Sequence, residues 1–456
     1  MRSRLLVAGL VLVGTGAIAC TGGRDGGSRS DEVMARPNVL VIYTDDQREG
    51  LEVMPKTRRW FGSGGRDFIN AYTTVPVCCP SRAGLFTGQY THNHGVTTNS
   101  GVDKLDVDTT LQRYLQDAGY RTAMFGKYMN GWEEAPPHFD YWGTRVGRDR
   151  YSGAEWNVQG EPTPIDQYST DYVADSSVEF LEQSDKDQDS QPWFLYVAPD
   201  APHAPSEAAP KYARADVPEW DPDRSVFQTD PKGHYTTKLV RELIGFEEGK
   251  AIRKKMYRAL MSVDDLVGDV SSALSELDEE NTIAIFMSDN GYMWGEHGLS
   301  EKTQPYTESI AVPLLMRWPG SIEAGTTDDR LVGNIDLAPT ILDATGVAPE
   351  VAAAMDGHSV LDEEWSRSRL LVEHEDDPKS ARTPTWASSR TGTYQYIEYY
   401  GKNGRSIVFR EYYDLVDDPR QMTNLFTDGV GDNDPDVRAL SKRLAADRKC
   451  SGTRCP

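Results

Sequence analysis

Four apolar runs, each cut off by polar residues and preceded by helix-like or loop-forming stretches, constrain this chain more than any other feature. Residues 38–43 (Asn-Val-Leu-Val-Ile-Tyr) stop at Thr44-Asp45-Asp46, and residues 120–125 stop at Gly126-Lys127-Tyr128. Residues 193–198 run into Pro199-Asp200-Ala201-Pro202-His203, and residues 282–287 into Ser288-Asp289-Asn290-Gly291. Short continuous apolar runs bounded in this way read as strands covered on both faces, the pattern of a parallel sheet. Helical spacing precedes three of them. Leu111, Tyr114 and Leu115 lie on one face of residues 110–119, with Gly119 as a stop, and residues 171–181 and 250–277 repeat the pattern. Strands alternating with helices predict an α/β fold with a large, mostly parallel sheet flanked by helices. Open sheets of this kind gather ligands at the C-terminal ends of their strands, where Asp45, Asp46, Asp289 and Asn290 fall. Aspartates also favour turns for local reasons, so strand-end position alone leaves capping as the alternative.

The sequence Cys78-Cys79-Pro80-Ser81-Arg82-Ala83-Gly84-Leu85-Phe86-Thr87-Gly88 places a thiol, a proline, a hydroxyl and a cation at the start of a predicted helix. Proline is tolerated in a first turn, where no amide proton is needed, and the free amides there favour an anion beside residue 78. Arg82 adds a permanent positive charge. The alternative, a buried thiol pair ahead of an ordinary helix, gives no reason for Pro, Ser and Arg in this register. The stretch resembles the signature of the type I sulfatases, Cys-x-Pro-Ser-Arg followed by Thr-Gly, with Cys78 as the first cysteine and Cys79 at the variable position.

The resemblance carries definite expectations. It implies an alkaline phosphatase-like sheet and a small C-terminal antiparallel α+β domain. It implies that a formylglycine-generating or equivalent maturation enzyme oxidises Cys78 to Cα-formylglycine. The hydrate of that aldehyde supplies one hydroxyl to attack sulfur and a second to expel sulfate. Asp45, Asp46, Asp289 and Asn290, with residue 78, match the metal ligands of the family, and an all-oxygen set suits a hard cation, Ca²⁺ or else Mg²⁺. Lys302, Lys127 and His203 match positions around the sulfuryl group, with Arg82 assisting the nucleophile and His203 and Lys302 facing the leaving oxygen. Within the family, the motifs around His92-Asn93-His94 and Gly126-Lys127-Tyr128-Met129-Asn130 are most similar to the N-acetylglucosamine-6-sulfatases and related heparan sulfatases. Met129 stands where many arylsulfatases carry histidine, leaving His94 or Asn130 as substitutes. The expected substrate is a sulfated carbohydrate or aryl sulfate. A phosphonate monoester or phosphodiester hydrolase, and a glycan-binding protein without chemistry, are the competing readings. Asn290 weighs against the first and the complete nucleophile and metal set against the second.

Charge and cysteine usage narrow the setting. A net charge of −23 excludes nucleic acid as a natural partner but says nothing about one cationic pocket. Residues 1–19 combine Arg2 and Arg4 with an apolar run too short for a membrane span and read as an export signal. Cys20 ends that run as in a lipobox, so residues 20–35 form a predicted lipid-anchored tether, and the protein belongs at the bacterial cell envelope or outside it. Residues 36–362 form the predicted catalytic domain and 363–456 the C-terminal subdomain. In the latter, aromatic-rich residues 393–399 and 406–412 flank Gly401-Lys402-Asn403-Gly404 as a hairpin, with a helix near 436–448. Cys450 and Cys455 suit a terminal disulfide in an oxidising compartment. Residues 151–168 and 206–235 are expected as irregular loops that face substrate.

Overall fold

The computed structural model describes residues 36–147, 150–186, 191–227, 233–237, 239, 243–377 and 383–456; the predicted signal and tether lie outside these. Residues from Arg36 to Pro456 form one compact unit. Among the described residues no helix is long and apolar enough to cross a membrane.

Ten strands build the main sheet: β1 (Asn38–Thr44), β2 (Arg66–Phe68), β3 (Arg121–Gly126), β4 (Tyr141–Val146), β5 (Ala154–Val158), β6 (Glu161–Ile165), β7 (Trp193–Ala198), β8 (Thr282–Ser288), β9 (Leu314–Arg317) and β10 (Thr326–Asp328). Their spatial order is β10-β2-β9-β8-β1-β7-β3-β4-β5-β6. The five central strands β8, β1, β7, β3 and β4 are parallel; the four apolar runs supply all of them but β4, which the sequence did not single out. Antiparallel pairs extend the sheet on both sides, β9 on β8 and the β5–β6 hairpin on β4. That hairpin replaces much of the irregular loop expected at 151–168. Pro162 and Pro164 argue against a central strand, but β6 is the terminal strand, where a missing amide donor costs no ladder bond.

β1 is wholly buried, and its alternate side chains serve two cores. Val39, Val41 and Tyr43 face the layer of α1 (Cys78–Thr87), α2 (Leu111–Asp117) and α5 (Leu337–Thr345). Leu40 and Ile42 face α3 (Ser169–Lys186) and the long α4 (Phe246–Glu276). Each fully buried Val, Leu or Ile contributes about 1.5–3 kcal/mol relative to exposure, so the register of β1 is strongly fixed.

Beyond the main sheet, β11 (Leu370–His374), β12 (Trp386–Arg390), β13 (Tyr394–Tyr400) and β14 (Ile407–Asp414) form an antiparallel sheet in that order. The last helix, α6 (Val437–Asp447), is tied to the start of β11 by Arg369, which donates to Asp447 at 2.7 and 2.8 Å. A disulfide joins Cys450 to Cys455.

Candidate active site

Strand register assembles the site. Thr44 of β1 pairs with Ser288 of β8, so Asp45-Asp46 and Asp289-Asn290 leave the sheet side by side. The amide of Asp289 donates to the Thr44 carbonyl at 3.1 Å, and the amide of Asp46 to Asp289 Oδ1 at 3.1 Å. On the other flank the Asp45 amide reaches the Ala201 carbonyl at 3.4 Å, and the Lys127 amide reaches the Ala198 carbonyl at 2.8 Å. Asp46 takes φ 72°, a left-handed turn that swings its carboxylate away from the strand direction.

Helix α1 brings Cys78 into this group. All ten of its residues are buried, and Val77 precedes it in extended conformation. Ser81 anchors it: its hydroxyl meets those of Tyr43 and Thr73 at 3.1 Å each, and Asn334 Nδ2 donates to its carbonyl at 2.8 Å. Asn334 in turn accepts from the Thr74 amide at 2.8 Å, which fixes the segment leading into the helix. Cys79 points away and accepts from the Asn130 amide at 3.1 Å.

Around Cys78 Sγ stand Asp45 Oδ1 at 3.3 Å and the Lys302 ammonium at 2.9 Å. Lys302 also donates to Asp46 Oδ1, and Lys127 to Asp45 Oδ2 at 2.5 Å. Arg82, fully buried, gives Nε and Nη2 to Asp289 Oδ2 at 3.1 and 2.9 Å, and Nη1 to the Lys127 carbonyl at 2.8 Å and the Tyr196 hydroxyl at 3.2 Å. His203 Nδ1 meets the Ala204 carbonyl at 2.7 Å, which places its proton there and leaves Nε2 facing Asp46 Oδ2 at 3.7 Å. Three carboxylates are thus met by three permanent cations.

Electrostatics follow from this arrangement. Burial pushes the Asp45 carboxyl up, yet the charges of Lys127, Lys302 and Arg82 together outweigh it and hold the group well below the usual range. Burial raises the Cys78 thiol, with Asp45 adding to the effect, so at neutral pH the unmodified residue is a thiol and a poor nucleophile. Burial pulls Lys302 down, but the carboxylates of Asp46 and Asp45 reverse the direction and keep it charged.

The carboxylates fit a hard cation, provided that residue 78 offers an oxygen in place of its sulfur. Ligand atoms of Asp45, Asp46, Cys78 and His203 all lie within 4.8 Å of one another. Asn290 gives Nδ2 to Asp46 Oδ1 at 2.6 Å, while its own Oδ1, buried, has no partner among the described residues. A buried carbonyl oxygen left unpaired among carboxylates is costly unless a cation takes it.

The histidines near the signature serve the scaffold. His92 bridges Glu373 at 2.8 Å and the Cys450 carbonyl at 3.0 Å. His94 accepts from the Val96 amide at 3.1 Å, and burial takes it down to about 3. His297 is buried between the rings of His234 and Tyr306. Met129 is packed in the core, and neither His94 nor the Asn130 side chain has a hydrogen bond to Cys78, Asp45 or Lys302. Tyr196, Ser288 and Asn334 are site residues that the sequence did not single out. Only their strand or helix partners, distant in the chain, give them their roles.

A parallel α/β core whose strand ends hold carboxylates, cations and a helix-borne residue 78 defines a hydrolase of the alkaline phosphatase superfamily. The family model described as Sulfatase matches residues 37–347, and the one described as N-sulphoglucosamine sulphohydrolase, C-terminal, matches residues 295–449. The chain belongs to the sulfatase family, whose members are sulfuric ester hydrolases. An N-acetylglucosamine-6-sulfatase of Homo sapiens is 32% identical, the match covering 92% of this chain and 86% of the human protein. An extracellular sulfatase SULF-1 homolog of Drosophila melanogaster is 34% identical over 74% of this chain, which spans only 32% of that longer protein. A solved complex of a protein with its substrate D-glucosamine-2-N,6-O-disulfate is similar in fold, with a TM-score of 0.78 and 25% identity, covering 90% of this chain and 97% of the other.

Proposed function

We propose that this protein hydrolyses the 6-sulfate ester of an N-acetylglucosamine or related amino sugar, using Cα-formylglycine made from Cys78. The observation that carries the reading is the convergence of Lys302, Asp45 and Asp46 on residue 78 at the N-terminus of α1. The sugar assignment rests on the similarity to the human N-acetylglucosamine-6-sulfatase and to the complex with a sulfated glucosamine. A calcium ion held by Asp45, Asp46, residue 78, Asp289 and Asn290 would act as a Lewis acid, polarising the ester and lowering the pKa of the nucleophile.

The remaining chemistry belongs to side chains. Arg82, locked on Asp289, holds that carboxylate in place and keeps positive charge behind residue 78. Lys127 and Lys302 offer ammonium protons to the non-bridging sulfate oxygens, a stabilisation that grows as charge builds in the transition state. His203 and Lys302 face the oxygen that departs, and its proton comes from Lys302 or from His203 Nε2 after that nitrogen has taken up the proton of the attacking hydroxyl. Water is consumed, and the alcohol and inorganic sulfate leave. The extracellular description of the Drosophila relative supports export, and the lipid anchor at Cys20 is part of the same proposal.

Intact mass of the tryptic fragment containing residue 78 tests the modification, and the Cys78→Ala and Cys79→Ala variants test the choice of nucleophile. Cys78→Ala should abolish sulfate release from N-acetylglucosamine 6-sulfate and from an aryl sulfate, whereas Cys79→Ala should leave most of it. Faster cleavage of an aryl phosphonate monoester than of either sulfate would overturn the assignment.

A further inference from the structure

One carboxylate beside the site carries two guanidinium groups. Asp200, 2% exposed, accepts from Arg145 Nε at 2.7 Å and from Arg150 Nη1 at 2.8 Å. It lies in the segment after β7 that also walls the site. The carbonyl of its neighbour Ala201 accepts from the Asp45 amide at 3.4 Å, and its own carbonyl accepts from the His203 amide at 2.9 Å. Tyr151, next to Arg150, donates its hydroxyl to the His203 carbonyl at 2.5 Å. Arg150 is therefore fixed within two short steps of both Asp45 and His203. The Asp45 carboxylate, like that of Asp200, acts on its charge.

Arg145 is committed, since Nη1 goes to the Gly147 carbonyl at 2.7 Å and its side chain is 6% exposed. Arg150 is not. Its bond to Asp200 is the single hydrogen bond it makes among the described residues, and its side chain is 19% exposed. Two cations on one carboxylate leave one positive charge over. In a protein of net charge −23, carboxylates are abundant elsewhere, yet this group holds its surplus charge on the segment that bonds to Asp45 and carries His203. A guanidinium held at one nitrogen still presents a planar pair of donors, which matches a carboxylate or a sulfate oxygen edge.

We infer that Arg150 is a specificity-determining residue that binds a second anionic group of the substrate, a carboxylate or a further sulfate, while the reacting ester lies at residue 78. The inference rests on the sugar sulfatase reading above and narrows it to substrates with two negative groups. Asp200 and Arg145 are positioning residues for it.

The test compares kcat/KM of the mature enzyme on glucosamine 2-N,6-O-disulfate, N-acetylglucosamine 6-sulfate and an aryl sulfate. The wild type favours the disulfate. Arg150→Gln should lower kcat/KM on the disulfate by about tenfold to a hundredfold, mostly through KM, the scale of a lost charge-assisted hydrogen bond. The loss on the monosulfate and the aryl sulfate should stay below about threefold, because Arg145 still pairs Asp200 and these substrates offer Arg150 no second anion. Arg150→Lys, which keeps the charge without the fork, should recover part of the preference. Equal losses on all three substrates, or an Arg150→Gln variant that keeps the preference, would overturn the inference. If the wild type cleaves the aryl sulfate but neither sugar, the sugar assignment falls separately. N-sulfoglucosamine then serves as a competitive inhibitor of aryl sulfate cleavage. Inhibition weakened about tenfold in Arg150→Gln supports the anion site, and inhibition that is unchanged or absent in the wild type sinks it.

Discussion

A guanidinium with no solvent exposure is tolerable only when its donors are taken, and Arg82 gives two of them to Asp289. Removing that carboxylate leaves a buried charge unpaired, at a cost of about 3–5 kcal/mol. Asp289→Ala should therefore lower thermal stability by an amount of this size and abolish turnover, as read by calorimetry and sulfate release. A variant that melts like the wild type would show that the pair is dispensable. Asn290 gives a second prediction, with a readout independent of activity. Because its Oδ1 has no partner among the described residues, added calcium should raise the melting midpoint of the wild type. At a free concentration a hundred times the dissociation constant the stabilisation is about 2.7 kcal/mol, and Asn290→Ala should shrink it. No response to any divalent cation would count against the site. The residues in these predictions were legible in the sequence because each sits in a short local motif. Tyr196 and Asn334 were not, since their partners Arg82 and Ser81 are supplied by other elements.

At the scale of elements, the close approach of β3 to β7 depends on Gly126. It has φ 112°, and a Cβ there would come within 2.0 Å of the Ala198 carbonyl oxygen. Gly126→Ala should destabilise the protein by more than the roughly 1–3 kcal/mol of backbone strain alone. It should also cut turnover, because the next residue is Lys127, and calorimetry with sulfate release reads both. Full activity in this variant would mean that the strand ends adjust freely. The short helix Thr91–His94 is held differently, by His92. Burial pulls its imidazole down, but the bond and charge of Glu373 outweigh it and raise the group above its ordinary value. Both ring nitrogens face acceptors, so the charged form is the one favoured. The stabilisation is fully present below about pH 6.5, the unfolded value, and is lost as pH rises through the folded value. The stability gap between wild type and His92→Gln, measured by denaturant titration, should narrow from about pH 6 to pH 8. A gap that widens over this range would reverse the assigned ionisation. Long apolar strands and long helices were readable from periodicity. The short strands β2, β9 and β10, with three or four residues each, carry too little pattern to be seen. The β5–β6 hairpin was hidden by prolines that only an edge strand accepts.

Across the whole molecule, residues 36–362 and 363–456 are proposed as a catalytic domain and a C-terminal subdomain that fold as one cooperative unit. The reason lies at their shared core. Leu370, Leu371, Val372, Trp386, Tyr396 and Tyr413 pack in one cluster with Tyr72, Tyr90, Met293, Leu299, Tyr306 and Ile310. Polar bonds cross the same boundary close to the chemistry. Trp386 Nε1 donates to the Thr303 carbonyl at 2.8 Å, one residue from Lys302. Glu411 of β14, buried, accepts from the hydroxyls of Tyr306, Tyr399 and Tyr413 at 3.2, 3.3 and 3.1 Å and from the Tyr235 amide at 2.6 Å. The segment carrying Lys302 is thus held from the C-terminal side, and neither part buries its apolar face alone. Calorimetry of the chain from residue 36 onward should show a single transition whose calorimetric and van't Hoff enthalpies agree. Glu411→Leu, which strands the Tyr399 and Tyr413 hydroxyls and the Tyr235 amide and leaves Tyr306 only the Thr236 hydroxyl, should lower that one transition by several kcal/mol, since each buried group left unpaired costs about 1–3 kcal/mol. A chain ending at residue 362 should be insoluble, because the cluster around Tyr306 would become an exposed apolar patch. Two resolved transitions, or a soluble truncated chain that still releases sulfate, would show that the C-terminal sheet is an appendage and that Lys302 is positioned without it.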